Sequence, residues 1–164
     1  MFEKYILCRI CGMKYGTNER IFRCRRCEGS LEVVFDYGKM KRRVGTRILR
    51  SREFNHMRYF EFYPVRKPVS IGEGGTPLLR SKNLEDMFGL DFQLWFKNET
   101  VNPTGSFKDR GSSVEVGRAV EFKAKSVVCA STGNMGASVS AYSGAANLDC
   151  YIFTPEDARP VKLE

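Results

Sequence analysis

The stretch SVVCASTGNMGASVSAYSGAANLDCYIFTP, residues 126–155, is the part of the chain whose reading decides the fold. SVVCAS is a short apolar run with β-branched residues and reads as a buried strand, and CYIFTP reads as another. Between them GNMGASVSAYSGAANL is too long for a strand, and its Ala, Ser and Gly content suits a helix packed closely against a sheet. Strand, helix and strand joined by short connections predict a right-handed parallel crossover in a sheet covered on both faces. Upstream the same alternation continues, with FQLWFKN (92–98) as a strand and SFKDRGSSVEVGRAVEFKA (106–124) as a helix. The expected class is therefore α/β, a parallel sheet flanked by helices over residues 70–164. Such sheets bind ligands beyond the carboxyl ends of their strands, where the loops NPTGS (102–106) and STGN (131–134) fall.

Toward the N-terminus the pattern changes. The chain has 164 residues and a formal net charge of +8, and that charge is uneven. Residues 1–66 hold 16 Lys+Arg against 7 Asp+Glu, while residues 67–164 hold 11 against 12. Four of the six cysteines form two pairs, Cys8-x2-Cys11 and Cys24-x2-Cys27. Two such turns present four thiolates to one tetrahedral ion, so residues 1–35 are expected to be a structural zinc ribbon. A rubredoxin-type iron centre uses the same ligands. Gly12 and Gly29 follow the pairs and fit tight knuckle turns. Cys129 and Cys150 stand singly in apolar runs and read as buried, inert thiols.

Residues 36–69 read as a basic and aromatic linker arm. KMKRRVGTRILRSR (39–52) carries seven basic residues and no acidic one. A basic arm beside a ribbon with Arg9, Arg23, Arg25 and Arg26 also fits a nucleic-acid-binding protein with a non-catalytic α/β part, through phosphate contacts. No run reaches the length of a membrane span, and the first residues lack the basic, apolar and cleavage regions of a secretory signal. The expected location is the cytoplasm, with no membrane partner.

NPTGSFKDRG (102–111) carries the chemistry. Ser106-x-x-Asp109 fits a variant of the capping box and sets the helix start near Phe107. Lys108 then meets the positive end of the helix as a like charge, an effect of about 0.3–1 kcal/mol. An amine so placed suits nucleophilic chemistry at a carbonyl. The opening N–H groups of the helix behind Ser131-Thr132-Gly133-Asn134 can hold a carboxylate or phosphate, with Gly133 supplying backbone freedom. An amine facing an anion cradle suits amino-acid chemistry. His56, the one histidine, and the rings of Trp95, Phe96, Tyr59, Phe60, Phe62 and Tyr63 read as packing.

Together GEGGTPL (72–78), NPTGSFKDRG and ASTGNMGAS (130–138) closely resemble the threonine synthases of the fold-type II pyridoxal-phosphate enzymes, and the ribbon resembles that of their archaeal-type members. The resemblance covers essentially the whole chain. It implies that Lys108 binds pyridoxal phosphate covalently, with Phe107 packed near the ring and Asn134 on its 3′-oxygen. It further implies that Ser131, Thr132, Gly133 and Asn134 hold the substrate carboxylate. The implied activity converts O-phospho-L-homoserine and water to L-threonine and phosphate. Cysteate synthase and the serine and threonine dehydratases are related alternatives. Family members run to several hundred residues, so the groups that hold the cofactor phosphate and the pyridine nitrogen are expected outside these 164 residues. A homodimer is expected for the full-length protein.

Overall fold

The computed structural model describes residues 2–156. Strands β1 (Glu3–Cys8), β2 (Lys14–Tyr15) and β3 (Leu31–Phe35) form a small antiparallel sheet in the order β2-β1-β3. This sheet is too small to own a core, and the loops between its strands leave Ile10 and Phe22 exposed. Order comes from the two knuckles, which repeat one hydrogen-bond pattern: Gly12 N–H donates to the Cys8 carbonyl at 3.1 Å and Glu28 N–H to the Cys24 carbonyl at 2.8 Å. Sequence reasoning assigns the second tight turn to Gly29. The left-handed residue there is instead Glu28, at φ 58°. Gly29 is needed for space, since a Cβ on it would lie 3.0 Å from the Ile10 side chain and 3.1 Å from Cys8 Sγ.

The basic arm is helical rather than a plain crossing. Helix α1 (Tyr37–Arg43) starts where the Asp36 carboxylate accepts the Lys39 N–H, and it places Lys41, Arg42 and Arg43 in its last turn, where cations oppose the negative helix end. Helix α2 (Thr46–Ser51) follows after Gly45, and a 3-10 segment spans His56–Phe62. Arg52 grips Glu61 through both guanidinium nitrogens, at 2.6 and 2.5 Å. At least this part of the basic run is used internally.

The α/β part holds strands β4 (Leu78–Arg80), β5 (Trp95–Lys97), β6 (Ser126–Ala130) and β7 (Asp149–Phe153), with helices α3 (Lys82–Phe88), α4 (Lys108–Glu121) and α5 (Asn134–Ala145). The β6–α5–β7 unit is the expected parallel crossover, in register from Ser126 opposite Asp149 to Ala130 opposite Phe153. The expected single parallel sheet needs correction. FQLWFKN contributes only Trp95–Lys97, which pairs antiparallel with β4 in a separate two-stranded sheet. The cause is local: Glu85 of α3 accepts the Leu94 N–H at 2.7 Å and Arg80 Nη2 at 2.8 Å, clasping the two strands together. Nor is the parallel pair covered on both faces among the described residues. Val127, Cys129, Cys150 and Ile152 are half-buried, whereas Val128, Tyr151 and Phe153 are more than half exposed on the opposite face.

Candidate functional site

Helix α4 begins at Lys108 with Phe107 in the capping position. The expected capping box does not form. Ser106 Oγ accepts the Lys108 N–H at 3.3 Å, while Asp109 turns back to accept the Thr104 N–H at 2.8 Å and also the Thr104 hydroxyl. Asp109 is fully buried. It closes the NPTG turn onto the helix, fixing where Lys108 leaves the backbone. Lys108 is half-buried, with Nζ 4.6 Å from the centroid of the exposed Phe107 ring. Among the described residues Nζ has neither a hydrogen bond nor an ion pair.

The turn is held from behind by a half-buried network. Asn102 accepts the Gly74 N–H at 3.0 Å and donates to the Glu99 carboxylate at 2.9 Å. Glu99 also receives Arg110 Nε at 2.7 Å, Arg110 Nη2 at 2.9 Å and the Thr76 hydroxyl at 2.6 Å. The Arg110 guanidinium, helped by the Thr76 and Asn102 donors, holds the Glu99 carboxyl down to about 2. GEGGTPL thus serves as a brace for the lysine turn. Its glycines are dictated by space: Gly75 sits at φ 61°, and a Cβ there would lie 2.1 Å from the Phe54 carbonyl oxygen. Buried Glu73 accepts the Ser70 and Tyr142 hydroxyls at 3.0 and 2.8 Å and the Ile71 N–H at 3.1 Å. Burial pushes the Glu73 carboxyl up, but surrounding donors outweigh it and leave it below its ordinary value. His56, 5% exposed, stacks on Tyr63 at 4.5 Å, and burial lowers its proton affinity.

The second loop joins this end through the helices. Ser138 of α5 donates to Asp109 at 2.7 Å and shares a 2.8 Å hydrogen bond with Ser112. Asn134 lies one helical turn before Ser138, about 6 Å along the axis, while Lys108 adjoins Asp109. The amine and the Ser131–Asn134 loop therefore open at one end of the α4–α5 pair. Ser131 extends β6 through its N–H to the Phe153 carbonyl at 3.0 Å, and its hydroxyl accepts the N–H groups of Gly133 and Gly136 at 3.2 and 3.0 Å. Its hydroxyl is thus engaged in ordering the start of α5. Gly133, in the capping position of α5, has φ −174° and ψ −135°. Thr132 and Asn134 are exposed at the loop tip.

In the N-terminal module Cys8, Cys11, Cys24 and Cys27 bring their sulfurs within 4.8 Å of one another. Cys8–Cys27 and Cys11–Cys24 are each 3.5 Å apart, close to the ~3.8 Å between ligands of a tetrahedral site with 2.3 Å zinc–sulfur bonds. Donors surround the sulfurs: the Tyr15 hydroxyl lies 3.1 Å from Cys24 Sγ, and the Arg26 N–H 3.4 Å. The Tyr15 hydroxyl lowers the Cys24 thiol to about 6. The donor set fits a thiolate-bound metal.

Residues 69–164 match the family described as pyridoxal-phosphate dependent enzyme. The chain belongs to that family. A threonine synthase of Methanocaldococcus jannaschii is 47% identical over 152 residues, which is 91% of this chain and 37% of that protein. One from Methanosarcina acetivorans is 38% identical over 152 residues, 92% of this chain and 37% of its own. The crystal structure of a pyridoxal 5′-phosphate-dependent aspartate racemase, 34% identical, superposes with a TM-score of 0.51 over 54% of this chain and 28% of that one. The chain thus spans little more than a third of the curated relatives it matches, and its mixed α/β part has fold-type II pyridoxal-phosphate enzymes as structural neighbours.

The residues present fit the family's cofactor. An aldehyde needs an amine with no competing partner, which Lys108 provides, and an aromatic ring stands beside it in Phe107. Sequence reasoning names these groups but misses the brace of Glu99, Arg110 and Thr76 and the interhelical contact of Asp109. The spacing of Glu99 and Arg110 crosses a turn whose path sequence alone does not reveal. Their one signal is their closeness to NPTGSFK.

Proposed function

We propose that the whole protein containing these residues is a threonine synthase, a pyridoxal-phosphate dependent lyase that converts O-phospho-L-homoserine and water to L-threonine and phosphate. The observation that carries this reading is the 47% identity to a threonine synthase over 91% of this chain, a span that includes the lysine-bearing part and reaches into the N-terminal module. Pyridoxal phosphate, when bound, supplies a reactive aldehyde and a ring that accepts electron density from the substrate. Lys108 would hold the cofactor through its amine, and the same amine, when free, would take up the α proton of the substrate. Phe107 shields one side of that amine from water. Thr132, Asn134 and the backbone of the 131–134 loop would orient the substrate carboxylate, and Asn134 would also hold the ring oxygen of the cofactor. Ser131 supports this loop by holding the start of α5. The four cysteines hold a structural zinc ion, which leaves no open position for chemistry. The active protein is a homodimer of the cytoplasm.

The test uses the full-length protein with pyridoxal phosphate. Borohydride reduction should fix the cofactor to the peptide bearing Lys108, and Lys108→Ala should abolish both the label and threonine formation. A label on another lysine would overturn the assignment. Turnover of O-phosphoserine or deamination of threonine, without turnover of O-phosphohomoserine, would replace the substrate reading with one of the related activities.

A further inference from the structure

The C-terminal end of the lysine-bearing helix is fastened to the cysteine module. In the last turn of α4, Arg118 Nη2 donates to the carbonyl of Thr17, while Nη1 donates to Glu121 at 2.7 Å. The same guanidinium lies 4.4 Å from the Phe122 ring centroid, and Arg20 lies 5.3 Å from that ring. Thr17 and Arg20 belong to the segment between β2 and Cys24, and the ends of that segment are tied to the cysteine cluster. The Tyr15 hydroxyl meets Cys24 Sγ at 3.1 Å and accepts the Arg25 N–H at 2.9 Å. Within the segment, Glu19 accepts the Gly16 N–H at 2.7 Å and pairs with Arg25 at 2.9 Å.

Apolar packing between module and helix is incomplete. A cavity of about 330 Å³ separates Ile6, Ile21 and Val33 from Val114 and Phe122. The attachment therefore leans on the polar bridge more than on buried area. In that bridge the guanidinium donates to the backbone carbonyl of Thr17, which lies in the segment leading to Cys24.

We propose that Arg118 is a positioning residue that couples metal occupancy of the four-cysteine module to the order of helix α4 and so to the placement of Lys108. The proposal rests on reading the cysteines as a metal site. With the ion bound, Cys24 is fixed, Tyr15 and the 16–23 segment follow, and the Thr17 carbonyl is presented to the guanidinium. With the ion removed the segment loosens and α4 loses its anchor. Lys108 lies ten residues from Arg118, about 15 Å along a continuous helix, so the anchor acts on it through the whole element. Coupling of this kind between two sites changes equilibria by roughly 5- to 150-fold.

The experiment is amide hydrogen exchange by mass spectrometry on the full-length protein, zinc-loaded and chelator-stripped, as wild type, Arg118→Ala and Arg118→Lys. Thiolate-to-cobalt absorbance reports metal binding separately. In the wild type, stripping should speed exchange of residues 109–113 by about tenfold, with little change in residues 137–145 of α5. Arg118→Ala should bind one equivalent of metal yet exchange fast at 109–113 whether loaded or stripped. Arg118→Lys, which keeps a donor but loses the second arm, should restore part of the metal response. Wild-type exchange insensitive to metal overturns the proposal without any variant, as does an undiminished metal response in Arg118→Ala. Equal loosening of α5 on stripping marks general unfolding and also overturns it. Failure to bind metal at all removes the metal reading and the coupling together, whereas one bound equivalent with an unresponsive α4 removes the coupling alone.

Discussion

Replacing Asp109 should unseat the lysine turn and the helix pair at once. Its carboxylate is fully buried and receives the Thr104 N–H at 2.8 Å, the Thr104 hydroxyl, and the Ser138 hydroxyl at 2.7 Å. Hydrogen bonds to charged groups contribute about 1.5–3 kcal/mol each, and a buried donor left without a partner costs about 1–3 kcal/mol. These terms overlap, so Asp109→Ala is expected to destabilise by about 3–5 kcal/mol. Asp109→Asn is the finer probe. Its oxygen can keep the two hydroxyls, but its amide nitrogen then faces the Thr104 N–H, donor against donor, for about 1–3 kcal/mol. Urea unfolding followed by circular dichroism measures both. At a slope of roughly 1–3 kcal/mol per molar, the alanine variant should lower the midpoint by at least about 1 M. If Asp109→Ala stays within about 0.5 kcal/mol of wild type, the carboxylate is not the tie described above. Ser138→Ala in a double-mutant cycle isolates the interhelical part, which should be about 1 kcal/mol or more.

Gly75→Ala should cost about 3 kcal/mol, because the left-handed backbone and the 2.1 Å approach to the Phe54 carbonyl both oppose a Cβ. Gly105→Ala, at φ 77° with nothing within 4 Å, should cost only about 1–2 kcal/mol in the same urea assay; equal losses would refute the clash. For acid stability, the Glu99 carboxyl is depressed from 4.5 to about 2 in the folded state, so its contribution is fully present above pH 4.5 and is lost as pH falls toward 2. Solvent screening at this partly exposed pair reduces the effect to about 1–2 kcal/mol, and Glu99→Gln should flatten stability between pH 5 and 2.5; an unchanged slope would show that other carboxylates carry it. Cys24→Ser should lower zinc content below one equivalent and melt the module, read by cobalt absorbance and by proteolysis between residues 16 and 35; full metal retention would mean that Cys24 is not a ligand.

The parallel β6–α5–β7 unit is legible in sequence because its strands are continuous apolar runs and its helix is long, opening at the glycine-containing STGN turn and followed by left-handed Asn147 at φ 54°. The cysteine spacing is equally legible, since it places ligands by short-range geometry. What escapes is pairing at a distance. Nothing in FQLWFKN tells that Trp95–Lys97 turns antiparallel onto Leu78–Arg80, because the decision is made by Glu85, which takes Arg80 from one strand and the N–H of Leu94 just before the other. Asp109 misleads in the opposite way. Its spacing from Ser106 fits a local cap, yet a buried carboxylate with three donors in reach satisfies more polar groups by facing inward. The arm is read as a linker because its charges dominate composition, and its two short helices become visible only through caps such as Asp36.

The contact between α4 and α5 explains why the site end of the molecule can be both polar and rigid. The buried residues of α4 are Asp109, Ser112, Ser113, Val116 and Gly117, and those of α5 are Gly136, Ser138, Val139, Tyr142 and Ser143. An apolar seam could slide by a fraction of a turn at modest cost, since its contacts have no fixed partners. Here Ser138 must meet Asp109 and Ser112, and Tyr142 must meet Glu73. A shift of one residue along either helix would leave these groups buried without partners, at about 1–3 kcal/mol apiece. The helices are therefore held in one register, and small residues let their backbones approach closely enough for such short side chains to reach. Because Lys108 adjoins Asp109 and Asn134 precedes Ser138 by one turn, the same bonds that fix the register also fix the separation of the amine from the loop opposite it. Under the function proposed above, the amine and the loop would tolerate little misplacement, and this polar seam supplies that constraint from positions outside both.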